Sequence, residues 1–397
     1  MPNTPHAGCR PFGAAPAAPA CRCCGLPTTA PLVDLGLLPV SGTPVEPDAP
    51  DAARLCRPLR PLVCDDCRLV QLAGPAAPGP ASRRTRRPRV ARRAAAAMRR
   101  LGLDAPGEVA VLDADGPSRG TFLCDDLPVR GLSWPFGAAE ARRLLGAGHA
   151  PVLLDIGDAI SLADDLHDLL EGCRILLAPG GVLFIEVPHL LPVLRDRRLD
   201  AFRHDRRAWF TLATVEIALL QHGLVVFDAE EVAADGGWLR VQARHVENRG
   251  RPLTQGMAAV RAREAAFGLQ RAAPYRAFAE AAVQAKCDLL DFLVGMRRAG
   301  RRVVGLVAPG QGDTLLGYAG VGPELLPVVA DLDAARHGGL LPGARIPIRS
   351  PAAALAQNAD FLLVLTWDGL AVAERAFARF RAEGGRFVLP TPVLHVV

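Results

Sequence analysis

No apolar run in this 397-residue sequence approaches the roughly 20 residues that a bilayer-spanning helix requires, so the pattern contains no membrane anchor. The first twenty residues, rich in Ala and Pro, lack the basic start and apolar stretch of a secretion signal and are expected to form a disordered tail. The ten cysteines do not fall into the paired framework of a secreted disulfide scaffold. Together these absences point to a cytoplasmic protein. Aromatic residues make up only 5% of the chain, and none lies among the nine arginines between Arg83 and Arg100, a stretch that also has no acidic residue. A basic run without rings has nothing to stack on bases. Arginine is abundant elsewhere too, so the run is better explained as a solvated helix face after a linker, and nucleic acid is not expected as a partner.

What is present is a substantial globular chain. Its length allows two or three domains with a sizeable core, and 50% hydrophobic with 22% charged residues is ordinary for a packed protein. The net charge is +5. Two Cys-x2-Cys pairs stand out, Cys21/Cys24 in "CRCCGLP" and Cys64/Cys67 in "LVCDDCRLVQL". Four thiolates on two turns suit a tetrahedral Zn²⁺. The alternative is a set of incidental buried cysteines, but doubled x2 spacing favours the metal. Cys23 lies inside the first pair as a competing ligand, whereas Cys9, Cys56, Cys124, Cys173 and Cys287 are scattered and are expected to be small buried hydrophobes.

The chain divides by composition into a tail (1–20), a cysteine module (21–75), a linker and arginine-rich segment (76–100), an α/β domain (101–245), a helical connector (246–300) and a smaller α/β domain (301–397). In the first α/β domain "EVAVLDADG", "PVRGLSW", "PVLLDIGD" and "VLFIEVP" are strand candidates. "AEARRLLGAG", "LADDLHDLLEGCRILLAPGG" and "LATVEIALLQHG" are helix candidates, and "LVVFDAEEV" with "GWLRVQAR" forms a closing antiparallel pair. Such alternation predicts a mostly parallel sheet covered by helices on both faces. The last domain repeats the pattern from "RRVVGLVAPG" to "RFVLPTPV" and is expected to be Rossmann-like.

These segments, in this order, resemble the zinc-containing sugar C-methyltransferases that act on nucleotide-linked keto-deoxysugars. The likeness runs through "CRCCG", "VDLGLLPV", "VCDDCRLVQL", "LLAPGGVLFIEVPHLL", "RHDRRAWFTL", "GGWLRVQARH" and "GLVAPGQGDTLLGYAGVGPELLPVVADLDAARHGGLLPGARIPI". It implies a structural zinc held by Cys21, Cys24, Cys64 and Cys67. It also implies a central class I, Rossmann-like domain that binds S-adenosylmethionine, and a C-terminal domain that helps to hold the nucleotide sugar. A natural-product or cell-surface sugar pathway, and a monomeric or homodimeric state, follow as expectations. The implied chemistry is removal of a proton beside a keto group and attack of the resulting enolate carbon on a methyl group.

The chemical residues depart from the family pattern more than the scaffold does. Where the family has Tyr-His-Glu-His this chain has Arg203, His204, Asp205 and Arg206, so the expected base is a guanidinium that cannot accept a proton at neutral pH. His204 and Asp205 are left as catalytic candidates, and Arg203 and Arg206 as substrate-binding ones. The cofactor turn reads "LDADGPSRG", keeping Asp113, Gly116 and Gly120 at altered spacing. Trp134 stands where a ribose-binding carboxylate is expected, and Asp158 offers a polar contact after the next strand. The C-terminal turn, Ala-Lys-Gly-Asn in the family, is Gly310, Gln311, Gly312 and Asp313, with Thr314 starting the next helix. Gln311, Asp313 and Thr314 are the substrate-binding candidates there. Loss of so many reactive groups leaves open a second reading, a catalytically inactive relative serving as a binding or accessory subunit.

Overall fold

The computed structural model describes residues 10–11, 19–40, 44–46, 55–74, 98, 107–112, 120–124, 127–233, 236–308, 311–356, 358–365 and 369–397. The arginine run, apart from Met98, lies outside them, as do Asp113, Gly116 and most of the expected tail.

Two small sheets make up the cysteine module. One joins β1 (Arg10–Pro11), β3 (Leu37–Pro39) and β4 (Leu55–Pro58) in the order β1-β4-β3. The other joins β2 (Ala30–Pro31), β5 (Pro61–Val63) and β6 (Val70–Leu72) with β12 (Ala208–Trp209), in the order β12-β6-β5-β2. The last strand comes from far along the chain, so the module is sewn into the domain that follows it. Cys56, expected to be a buried hydrophobe, is buried but disulfide-bonded.

A seven-stranded sheet forms the middle of the molecule. Its strands are β7 (Val109–Leu112), β8 (Gly120–Cys124), β9 (Leu127–Leu132), β10 (Leu153–Gly157), β11 (Val182–Pro188), β13 (Leu224–Val232) and β14 (Trp238–His245), in the order β13-β14-β11-β10-β7-β9-β8. Strands β9, β7, β10 and β11 are parallel, and β14 runs antiparallel between β11 and β13. The central strands, "VAVL", "LLDIG" and "VLFIEV", are apolar almost throughout because helices cover both faces, and all these residues are buried. Two details differ from the sequence expectation. The long helix expected from Leu162 is two helices, Ala159–Leu162 and Leu166–Leu176, because Asp165 caps the second by accepting from the Asp168 amide. Gly120, expected in a turn, opens the edge strand β8, which hairpins antiparallel onto β9.

The C-terminal sheet holds β15 (Val303–Val307), β16 (Val329–Asp331), β17 (Ile348–Arg349), β18 (Phe361–Val364), β19 (Arg386–Leu389) and β20 (His395–Val396), in the order β17-β16-β15-β18-β19-β20. All neighbours are parallel except β19 and β20. Numbered from β15 this is the 3-2-1-4-5-6 order of the doubly wound fold. The chain reverses its winding between β15 and β18 here, and between β7 and β10 in the middle sheet. Ligands bind at the carboxyl ends of the strands beside such reversals.

The connector helices Gln255–Phe267 and Ala273–Arg298 span the two sheets. A buried cluster fastens the first of them. His189 follows β11, and its Nε2 lies 2.8 Å from Glu264 Oε1, while its Nδ1 stands 3.2 Å from Glu231 Oε1 in a poorly aligned ion pair. Glu264 also accepts from the Leu212 amide at 2.6 Å. Burial opposes charge on His189, but the two carboxylates outweigh it and raise its pKa, and in return His189 holds the carboxyl of Glu231 low. The imidazolium contribution is complete below its ordinary 6.5 and is lost as pH climbs through the raised value; the Glu231 contribution is complete above 4.5 and is lost as pH falls through the lowered one. Replacing His189 by Gln should therefore destabilise the protein most between pH 4.5 and 6.5, by about 3 kcal/mol, with the gap narrowing in alkali. Thermal melts of both proteins across pH would show it, and a gap that widens in alkali would refute the assignment.

Candidate functional site: a cysteine knuckle and two facing sheet edges

Each Cys-x2-Cys pair is a tight knuckle closed by backbone hydrogen bonds, Gly25 N to Cys21 O at 2.8 Å and Arg68 N to Cys64 O at 3.1 Å. The fourth residue after each leading cysteine takes a left-handed backbone, Gly25 at φ 76° and Arg68 at φ 65°, which turns the chain away and leaves the sulfurs facing inward. Cys21 and Cys67 Sγ are 3.5 Å apart, Cys24 and Cys64 Sγ are 3.6 Å apart, and all four lie within 4.8 Å of one another. Tetrahedral ligation at a Zn–S bond of about 2.3 Å needs sulfurs roughly 3.8 Å apart, so the set fits a closed structural zinc ion. Cys23 is not part of it; its sulfur sits 3.8 Å from the Thr214 carbonyl.

The knuckle is tied to the middle sheet through residues between its ligands. Arg22 donates to the carbonyls of Ala163 and Asp164, and its amide donates to Gln71 Oε1 at 2.8 Å. Gln221 Nε2 donates to the Cys23 carbonyl at 2.9 Å. Strand β6 pairs with β12, directly after the Arg203–Arg206 turn.

At the carboxyl edge of the middle sheet, Trp134 follows β9, Asp158 follows β10 and Trp238 begins the antiparallel β14 opposite Pro188. Arg206 reaches into this crevice, its Nη2 donating to Asp158 Oδ2 at 3.2 Å and its guanidinium lying 5.9 Å from the centre of the Trp238 ring. Arg203 grips Asp205 with Nε and Nη2, the former at 3.0 Å. Burial would raise the Asp205 carboxyl, yet Arg203 and Arg206 together bring it below its ordinary value, so it is a poor base. His204 is also corrected as a catalytic candidate. It is buried, its Nε2 lies 3.2 Å from the Arg57 carbonyl in β4, and burial lowers its pKa, so it braces the cysteine module instead.

Facing this edge is a cleft of about 430 Å³ at the carboxyl edge of the C-terminal sheet, with Gly312, Leu315 and Leu365 on one side and Asp196, Arg198 and Asp200 on the other. The Asp196–Arg206 segment is thus a wall between crevice and cleft: Arg198 donates to the Gly236 carbonyl just before Trp238, and Arg206 binds Asp158. Thr314 spends its hydroxyl on the Phe202 carbonyl at 3.2 Å, which pins the C-terminal domain to the wall. Gln311 closes the turn through its amide, donating to Ala308 O at 2.9 Å. Asp313 keeps some exposed surface as a residue, but both carboxylate oxygens are sealed from solvent and lack partners, and burial pushes the carboxyl up to about 7.

The wall brings Arg203, Arg206, Asp158, Thr314 and Asp313 into one neighbourhood. Gly120 lies on the edge strand, apart from the crevice. Sequence reasoning missed Trp238, the buried ion pair of Arg336 with Asp331 at 2.6 Å, and the His189–Glu264 contact. An invariant spacing links none of these pairs, though the acidic end of the second Rossmann strand was a usable signal for Asp331.

Removing zinc with a chelator, or replacing Cys64 by Ser, should loosen more than the module. Hydrogen exchange should rise at β5 and β6 and also at Ala208 and Trp209, because among the described residues β6 is the strand that pairs with β12. Unchanged protection of Ala208 and Trp209 after metal loss would contradict this coupling.

Comparison with known proteins follows the same division. Residues 21–79 match the family described as "Putative zinc binding domain", and residues 233–392 match the family described as "C-methyltransferase C-terminal domain". C-methyltransferase NovU of Streptomyces niveus is 31% identical over 235 residues, 59% of this chain and 55% of that protein, so the chain spans about half the length of this curated relative. Among solved structures, the glycopeptide N-methyltransferase MtfA complexed with sinefungin matches at 14% identity and a TM-score of 0.28, over 39% of this chain and 94% of that one. The 1,6-didemethyltoxoflavin-N1-methyltransferase of Burkholderia thailandensis matches at 22% identity and a TM-score of 0.25, over 40% of this chain and 79% of that one. Likenesses that low carry no structural argument. The chain thus carries, at its two ends, regions that match a putative zinc-binding domain and a C-methyltransferase C-terminal domain, and it is similar to NovU over 235 residues.

Proposed function

We propose that the protein transfers a methyl group from S-adenosylmethionine to the carbon beside the keto group of a nucleotide-linked deoxysugar. The observation that carries this reading is the single wall, Asp196–Arg206, with a cofactor-type crevice on one side and a 430 Å³ cleft on the other. Such a layout sets two ligand-sized spaces on either face of one short segment, at the carboxyl edges of the two sheets, where ligands of doubly wound folds bind. Trp134 offers a flat face and Asp158 a carboxylate to the adenosine end of the cofactor, which fits their chemistry. The Asp113–Gly116 stretch of the turn lies outside the described residues. Bound there, the cofactor supplies the electrophilic methyl group. The cleft residues would hold the sugar nucleotide, with Arg198 the guanidinium on its wall.

A second reading is favoured by Arg206. It occupies the position of the expected base and already pairs with Asp158, which is the arrangement of a crevice kept closed in an accessory subunit. Calorimetric titration with S-adenosylhomocysteine separates the two. Binding, weakened about tenfold or more (1.4 kcal/mol) by Asp158→Asn, supports the transferase. An absence of binding at millimolar ligand, together with no methyl incorporation into keto-deoxysugar nucleotides, would leave the accessory role.

A further inference from the structure

The 430 Å³ cleft runs across the strands of the C-terminal sheet. Its lining passes from Gly312, after β15, over Leu365, after β18, to Leu389, Pro392 and His395 at the β19–β20 end, with Arg198 on the wall opposite. These strands are neighbours in the order β15-β18-β19-β20, and adjacent strands stand about 4.8 Å apart, so the cleft spans roughly 14 Å. A ligand that fills it therefore meets the Gly312 turn at one end and His395 at the other. Among the described residues His395 is the imidazole that lines the cleft, and it is exposed.

Both its strand and its ring are held in place. His395 stands opposite Leu389 in the antiparallel pair of β19 and β20, and cross-strand partners project from one face, so both reach the cleft. Phe387 and Val397 exchange backbone hydrogen bonds at 3.2 and 2.8 Å, which fixes the end of β20. Arg197 ties the loop before it to the wall, its Nη1 donating to the Pro392 carbonyl at 3.0 Å. The ring's Nδ1 lies 2.8 Å from the Val393 carbonyl. A carbonyl can only accept, so Nδ1 carries the hydrogen and the neutral ring keeps a lone pair on Nε2. That edge of the ring, with Nε2 as an acceptor, is the one left to a ligand.

We propose that His395 is a substrate-positioning residue whose Nε2 accepts a hydrogen bond from an N–H or O–H group of the nucleotide sugar in the cleft. This inference rests on the methyl-transfer reading above. A nucleotide-linked deoxysugar offers such a donor in two places, N3–H of a thymine or uracil base and the hydroxyls of the sugar. Cytosine has an acceptor at N3 instead. The residues beside His395, Leu389 and Pro392, are apolar, and in such a setting a few directed polar groups fix the orientation of a ligand. The role is selection and alignment, and no proton changes hands.

Calorimetric titration of the full-length, zinc-loaded protein tests it with three ligands: thymidine diphosphate, cytidine diphosphate and thymidine diphosphate-linked 4-keto-6-deoxyhexose. His395→Asn keeps a donor near the place of Nδ1 but has no acceptor near that of Nε2, whereas His395→Gln sets an amide oxygen there. The Asn variant should bind about three- to tenfold more weakly, the size of one net hydrogen bond, and the Gln variant should recover most of the loss. Both should melt with the wild type, because the side chain is exposed. If the donor is the base N3–H, the loss appears with thymidine diphosphate alone, and the wild type binds cytidine diphosphate more weakly. If it is a sugar hydroxyl, the loss appears only with the sugar nucleotide. An Asn variant that binds both thymidine ligands as tightly as the wild type, or a Gln variant that binds no tighter than Asn, overturns the role of His395 alone. A wild type that binds none of the three overturns the methyl-transfer reading and this inference with it.

Discussion

The pairing of β6 with β12 is the contact on which the arrangement of the sites depends. It puts a strand from position 208 into the sheet of the cysteine module, so the turn just before it, Arg203–Arg206, is built partly on the knuckle. The same knuckle sends Arg22 to the carbonyls of Ala163 and Asp164, at the end of the short helix that begins after Asp158. Arg207 reinforces the join, its amide donating to Ser161 O at 2.7 Å and its guanidinium facing Asp164. Both partners of the Arg206–Asp158 contact are therefore placed from one side by the module. A closed zinc site is suited to this, because its bond lengths leave little slack. A metal held there would fix the knuckle, and through it the Arg206–Asp158 contact.

Charge is the second organising constraint. Guanidinium groups that enter the protein between its sheets all find carboxylates: Arg203 with Asp205, Arg206 with Asp158, Arg240 with Glu186 and Glu230, Arg336 with Asp331. Such buried pairs contribute little net stability once desolvation is counted, but breaking one is expensive, so they specify geometry more than they stabilise. An unpaired carboxylate in this setting is conspicuous. Among the described residues Asp313 stands near charges of both signs without a hydrogen bond from either, and burial raises its carboxyl.

Much of the scaffold was legible in the sequence because its signals are local. The doubled Cys-x2-Cys spacing anticipates the four converging sulfurs, and the apolar runs ending at Leu112, Gly157 and Pro188 anticipate strands buried on both faces. The site was much less legible because its determinants are distant in sequence. Nothing in the order of residues brings His189 to Glu264, 75 positions away, or turns His204 toward Arg57, 147 positions away. The β8 hairpin was missed for another reason: "GTFLC" is too short to separate from a turn, and only pairing with β9 makes it a strand. Cys56 was misjudged because a lone cysteine carries no spacing signal.

The substitution of the expected histidine by Arg206 also changes what the neighbouring groups can do. A histidine there would share a proton with Asp158 or with substrate, whereas a guanidinium stays charged and lies over Trp238. That charge is fixed beside Asp158, and Arg203 grips Asp205 in the same way and helps to hold its carboxyl low. The wall thus carries guanidinium–carboxylate pairs that fix its geometry between the two sheets.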